Sequence, residues 1–398
     1  MGAKSCRRPG LLFVKNRALV AMRFALAALV IAFVATRVPW SDRVTAQGDD
    51  TWIEGELVGH WGEEAVRFKV NDGAMVPEAW RGDWAVALRG LGEAELVRGG
   101  GAEWEPGLWR VLADLQVLSV LGVLLAVFGG LVFGVTRWWR LLRVCGVPTR
   151  YVVVTRLTLL GMFFNLVIPG LTGGDIVKAG LAAKEHPGGK GAAITAVAID
   201  RLIGLWTLLV IAACCALALR DQLSILVAPL LGLTLLGTGA LVILCVPSFR
   251  GAMGSGRVLR LLPARLSGLV DAIRGISDSP RELFFAVALS AGNHLCIGAA
   301  IYSVTQGIGN DTSFVGCLSA TVVASAVSAV PLAPGGWGVG EAAYAGMFSL
   351  LGAGETVGYA VSVSYRLCQT GLSLICGAAL WRGNREAWRD EALVSSDQ

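Results

Sequence analysis

Seven apolar stretches fill this chain beyond residue 110, at roughly 112–136, 151–168, 192–217, 222–246, 283–307, 313–331 and 357–381. A helix needs about 20 predominantly apolar residues to cross the hydrocarbon layer of a bilayer, and several of these stretches reach that length. Of the 398 residues, 55% are hydrophobic and 16% charged, against about 25% charged in an ordinary soluble domain. Lipid is the solvent that suits such a composition. The 52 glycines agree, because small residues let helices approach closely inside a membrane. The fold expected is all-α and integral to the membrane, a polytopic helical bundle.

Basic residues orient the bundle, since Lys and Arg collect on the cytoplasmic side. Lys4, Arg7, Arg8, Lys15 and Arg17 precede an apolar run from Ala18 to Val38, which Arg23 interrupts. The uninterrupted part, Phe24 to Thr36, suits an anchor helix or a signal peptide cleaved at Val44-Thr45-Ala46. Either reading puts residue 47 outside the cytoplasm. The loop Arg137-Trp138-Trp139-Arg140-Leu141-Leu142-Arg143 is expected inside, as is 247–282 with Arg250, Arg257, Arg260, Arg265, Arg274 and Arg281. Arg382, Arg385 and Arg389 place the tail inside too. The setting this describes is a bacterial inner membrane, crossed several times, with both termini cytoplasmic.

Residues 41–106 differ in kind. Between Ser41 and Trp109, fourteen acidic residues face six basic ones. Alternating stretches at Glu56–His60 and Ala65–Val70 flank turn signals such as Asn71-Asp72-Gly73, which predicts a small β-rich extracytoplasmic insert. Trp52, Trp61, Trp80 and Trp84 are its expected core. No catalytic constellation occurs there, so the insert reads as a structural domain or a contact for an envelope protein. The division expected is 1–40 anchor or signal peptide, 41–106 insert, 107–382 membrane domain and 383–398 cytoplasmic tail.

Parity now constrains the middle of the chain. If 137–150 and Arg250 are both inside, spans 192–217 and 222–246 make one full excursion. Residues 178–191, with Lys178, Lys184 and Lys190, are then inside as well, so 151–184 enters from the cytoplasm and returns to it. By the same logic 313–352 starts and finishes outside. Each of these two re-entrant hairpins breaks at a glycine-rich motif with one acid. The first runs Ile168-Pro169-Gly170-Leu171-Thr172-Gly173-Gly174-Asp175, the second Ala333-Pro334-Gly335-Gly336-Trp337-Gly338-Val339-Gly340-Glu341. Backbone groups freed at such breaks need protein or a wet cavity around them.

An arginine follows each acid, 26 residues on from Asp175 at Arg201 and 25 on from Glu341 at Arg366. Units 112–217 and 283–381 thus share one plan with opposite orientation, the pattern of an inverted repeat whose site lies near the midplane. Ionisable groups in a bilayer cost about 2.5–3.5 kcal/mol on insertion scales and usually face a partner or a cavity. Two readings stand for Asp175–Arg201 and Glu341–Arg366: ion pairs that staple each half, or arginines that meet an anionic headgroup, since a guanidinium forks onto phosphate oxygens. Helix N-termini after the breaks would add positive dipole ends. Asp200 and Arg201 are adjacent, about 100° apart on a helix, so they cannot share a face. His294 is either a proton relay or a helix–helix contact, and Asn293 and Gln369 are polar neighbours.

At these motifs the chain resembles the lysylphosphatidylglycerol synthase transmembrane region. The residues are NLVIPGLTGGDIVK from Asn165 to Lys178, Asp200-Arg201-Leu202-Ile203-Gly204, and PGGWGVGE from Pro334 to Glu341. This is the flippase domain of the bacterial multiple peptide resistance factor, found also in stand-alone flippase-like proteins, and the resemblance spans about 112–381. It implies movement of a lipid with a polar headgroup across the membrane: an anionic or aminoacylated phospholipid, or a polyprenyl-linked glycolipid. The residues expected to contact that substrate are Asn165, Thr172, Asp175, Lys178, Asp200, Arg201, Glu341 and Arg366. Only about 17 residues follow Trp381, so no aminoacyl-transferase domain and no lysyl transfer are expected. The insert occupies a place where a short loop would be usual.

The function expected is therefore lipid translocation, not enzymatic, without cofactor, metal or nucleic acid. No GxxxxGK[ST] motif occurs, and His60, His186 and His294 are too scattered to form a metal cluster. Two alternatives remain: an enzyme acting on lipid headgroups, and a scaffold subunit of an envelope complex.

Overall fold

A computed structural model describes residues 28–29, 32–49, 51–167, 173–185, 190–245, 279–329 and 336–396. The basic N-terminal cluster, His186 and the arginines from Arg250 to Arg274 lie outside the described residues.

Where the sequence is acidic and alternating, the chain forms an antiparallel sheet. Its strands are β1 (Asp42–Ala46), β2 (Ile53–Val58), β3 (Ala65–Val70), β4 (Glu93–Val97) and β5 (Ala102–Glu105), in the order β4-β3-β2-β1-β5. In β2, Ile53 and Leu57 are buried while Glu54 and Glu56 face water, as a period-two pleat requires. Helix α1 (Asp83–Leu91) covers the inner face with Trp84, Ala85 and Leu88 and stops at Gly92, which takes the left-handed conformation at φ 73°. Trp61, Trp80 and Trp84 are buried in this core. Trp52 departs from expectation: it is 39% exposed, with the Arg43 guanidinium 4.4 Å from its ring centre. A cation on its face lets an indole stay at the surface. Because Val44 is paired on both sides, to Ile53 and to Trp104, cleavage after Ala46 would take β1 out of the sheet.

One buried carboxylate joins insert to membrane domain. Asp42 accepts hydrogen bonds from the Leu57 and Gly107 backbone N–H groups at 2.8 and 2.7 Å and from Arg110 Nε at 2.8 Å. Arg110 belongs to α2 (Leu108–Ala113), which leads into the membrane helices.

These are α3 (Val117–Val144), α4 (Tyr151–Val167), α5 (Gly173–Glu185), α6 (Lys190–Ala218), α7 (Ser224–Cys245), α8 (Pro280–Gly307), α9 (Phe314–Ser328), α10 (Val339–Leu350) and α11 (Glu355–Ser396). Among the described residues α3, α6 and α8 are long and apolar enough to cross a membrane. Two boundaries move from the sequence reading. Helix α3 continues through the expected loop at 137 to Val144, and α11 runs unbroken into the expected tail.

Small residues hold α3 against α8 in antiparallel contact. Gly122 faces Ser303, Gly129 faces Cys296 and Gly292 faces Phe133; a Cβ on Gly122 would sit 2.8 Å from the Ser303 hydroxyl. Membrane helices pair through such close approach rather than through hydrophobic burial.

Two shorter pairs fold back on themselves. In α4–α5, Gly161 meets Gly174 near the turn, while Val154 and Ala182 belong to one buried cluster toward the far end. In α9–α10, Ser328 meets Gly336 near the turn while Gly316 and Leu351 lie together at the far end. Their described helices run 17 and 13 residues in one pair and 15 and 12 in the other. Leu219, Asn310, Ser313 and Gly352 line one cavity, so three interhelical turns share one end of the bundle. The insert sits at that end, with His60 against Gly309 and Glu105 Oε1 accepting the Thr356 N–H at 2.9 Å.

Candidate functional site

Each helix that follows a glycine break carries its acid as third residue, Asp175 in α5 and Glu341 in α10. The first turn of a helix leaves backbone N–H groups unsatisfied and has a positive dipole end, so both demands favour an acceptor there. Glu341 Oε2 accepts the Gly338 N–H at 2.5 Å, the reach from N3 back to the N-cap that a capping box uses. In α5 the corresponding service comes from α4, where Asn165 Oδ1 accepts the Gly174 N–H at 2.6 Å.

The glycines are needed for closeness and for turning. Gly336 and Gly338 take φ of 73° and 83°, a region open to glycine at little cost. A Cβ on Gly174 would run into the Gly161 carbonyl, and one on Gly340 into the Arg366 guanidinium. Gly173 opens α5. Pro169, Gly170, Thr172, Pro334 and Gly335 lie outside the described residues.

Arg201 lies on α6 and Arg366 on α11. Arg201 pairs with Asp175. Arg366 pairs through Nε with Glu341 Oε1 at 2.7 Å, donates to the Gly336 carbonyl at 3.1 Å and lies 5.4 Å from the Trp337 ring centre. The two pairs differ in access. The Arg201 side chain is 54% exposed, that of Arg366 12%.

Asp200 turns away from its neighbour, as adjacency on a helix demands. It pairs with Arg137 Nε on α3 at 2.7 Å, and Arg137 also donates to Ser290 Oγ on α8 at 2.8 Å. Lys178, on α5, is buried with its ammonium 3.7 Å from the Trp138 ring centre. Arg137, expected in a cytoplasmic loop, is instead a buried partner that ties α3, α6 and α8 together. Its phase was the available signal, because Arg137 shares a helical face with buried Gly130 and Leu141. His294 makes a helix–helix contact, its Nε2 being 3.1 Å from the Gly204 carbonyl.

The structure thus brings together Asn165, Asp175 and Arg201 at one break, and Gly336, Gly338, Gly340, Glu341 and Arg366 at the other. Asp200 and Lys178 sit deeper, against α3. Among the described residues no cluster of His, Cys, Asp and Glu could hold a metal ion.

Residues 106–377 match the family model of the lysylphosphatidylglycerol synthase TM region. The chain belongs to this family. The match begins at Pro106, directly after β5, so the family's region takes in both glycine breaks and both arginines while the sheet lies outside it. No curated protein matches the chain. Family and helices together make this a membrane protein of a lipid-related family.

Proposed function

We propose that the protein is a lipid translocator of the inner membrane, moving an anionic or aminoacylated phospholipid or a polyprenyl-linked glycolipid. The observation that carries this reading is the recurrence of one device in both halves. An acid in the first turn after a glycine break pairs with an arginine on the next helix. Of the two arginines, Arg201 is half exposed and so the more open to a phosphate, while Asp175 holds it in the empty state. The headgroup enters between the two hairpins, Arg201 and Arg366 grip its phosphate in turn, and the acyl chains stay in lipid. The antiparallel pairing of α3 with α8, the first helices of the two units, supports an inverted repeat. The hairpins are then re-entrant from opposite faces.

Purified protein in proteoliposomes tests this with a fluorescent phospholipid whose outer-leaflet fraction is read by chemical quenching. Arg201→Ala and Arg366→Ala are each expected to slow translocation at least tenfold. Unchanged rates in both variants would end the gripping model. Topology has a separate measurement: reporter fusions after residues 188 and 310 are expected to report cytoplasmic and extracytoplasmic positions respectively. A reversed signal at either site removes the opposed hairpins.

A further inference from the structure

A cavity of about 1060 Å³ separates β1 and β5 of the insert from the turn between α10 and α11. It lies at the insert's end of the bundle, and none of Asp175, Arg201, Glu341 and Arg366 lines it. Its floor is fixed by Glu105, which pairs with Arg43 and accepts the Thr356 N–H. The walls carry Trp52 and Trp104. Trp104 spends its indole N–H on the Trp61 carbonyl at 3.0 Å, and Trp61 spends its own on Asp114 at 3.1 Å. What Trp104 offers the cavity is therefore its ring.

The charges of the lining discriminate between ligands. Arg37, Arg43 and Arg98 stand against Glu103, Glu105 and Glu355. A balanced wall exerts no net pull on a bare anion or a bare cation. A hydroxyl both donates and accepts, whereas a guanidinium only donates and a carboxylate only accepts. A polyhydroxylated ligand is the class that uses both signs at once. The C–H face of a sugar ring also lies well on the apolar body of an indole, which is large and amphipathic. Arg43 and Arg98 already sit by the two rings, 4.4 Å from that of Trp52 and 5.7 Å from that of Trp104. The volume is at or above the top of the roughly 300–1,000 Å³ range of small-molecule sites, enough for more than one sugar ring.

We infer that this cavity binds a saccharide, and that the saccharide is the headgroup of the lipid being moved. The second half of that statement rests on the translocator reading; the first does not.

Titration calorimetry on the full-length protein in nanodiscs tests the site with maltotetraose, chitotetraose and a galacturonic acid tetramer, and with inorganic phosphate and free lysine as bare-charge controls. At least one tetrasaccharide is expected to bind saturably, and Arg98→Ala and Trp52→Ala, both at exposed positions, each to weaken it at least tenfold. Binding by none of the three tetrasaccharides, binding of phosphate or lysine alone, or affinity indifferent to both cavity substitutions overturns the site. The source of the sugar is read in proteoliposomes. A polyprenyl-phosphate hexose that is translocated, and slowed by the bound tetrasaccharide, identifies a lipid headgroup. Tetrasaccharide binding without translocation of any lipid keeps the saccharide site and removes the translocator. Translocation of phosphatidylglycerol by a protein that binds no tetrasaccharide does the reverse.

Discussion

Glu341→Ala is expected to destabilise the folded protein by about 3–5 kcal/mol, the usual cost of leaving one member of a buried ion pair without its partner. Two losses coincide at this residue. The Arg366 guanidinium, 12% exposed, keeps its charge but loses the carboxylate 2.7 Å from its Nε. The Gly338 N–H loses the oxygen that caps α10, itself worth about 1 kcal/mol at a typical helix start. Glu341→Gln retains an amide oxygen for the Gly338 N–H and so loses less. Thermal unfolding of the detergent-solubilised full chain should order the proteins as wild type, Gln variant and Ala variant, with the last lower by several degrees. An alanine variant as stable as the wild type would show that the pair is not buried in the way described.

The second large effect lies at Asp200 and separates two adjacent residues. Asp200→Ala strands the buried Arg137 guanidinium between α3, α6 and α8 and is expected to cost a similar 3–5 kcal/mol. Replacing both partners, as in Arg137→Met with Asp200→Leu, removes the stranded charge and should recover most of that loss, since apolar residues of like volume often match a buried pair. Arg201→Ala, one position along, should lower the unfolding midpoint less than Asp200→Ala, because the Arg201 side chain is half exposed whereas both Asp200 and Arg137 are buried. Its main expected effect is on translocation. A double variant no more stable than Asp200→Ala, or an Arg201 variant as unstable as Asp200→Ala, would contradict this division of labour.

Much of the membrane domain could be read from the chain alone because lipid imposes a simple rule. The apolar runs at 192–217 and 283–307 became α6 and α8 almost to the residue, since nothing in hydrocarbon competes with the helix for backbone hydrogen bonds. The pairings Asp175–Arg201 and Glu341–Arg366 were legible for a related reason: an intramembrane charge needs a partner, and few were on offer. Arg137 escaped because it sits among Arg140 and Arg143, a basic cluster that composition assigns to the headgroup region. Only the phase of the helix shows that Arg137 points inward while Arg140 reaches Glu282 near the start of α8. Trp52 escaped for another reason. Pattern treats all tryptophans as core, but an indole under an arginine is stable at the surface. Helix α1 was hidden by its shortness, its nine residues being amphipathic yet embedded in strand signals. The cavity between sheet and bundle had no local signature, as its walls come from segments some 250 residues apart.

The hydrogen bond from Thr356 to Glu105 has a mechanical side. Thr356 is in the first turn of α11, and Arg366 lies ten residues further along the same helix, about 15 Å at 1.5 Å per residue. No proline interrupts the stretch between them. One continuous helix therefore links the residue that the sheet holds to the guanidinium at the second glycine break. The sheet is in that sense a handle on the helix that carries Arg366.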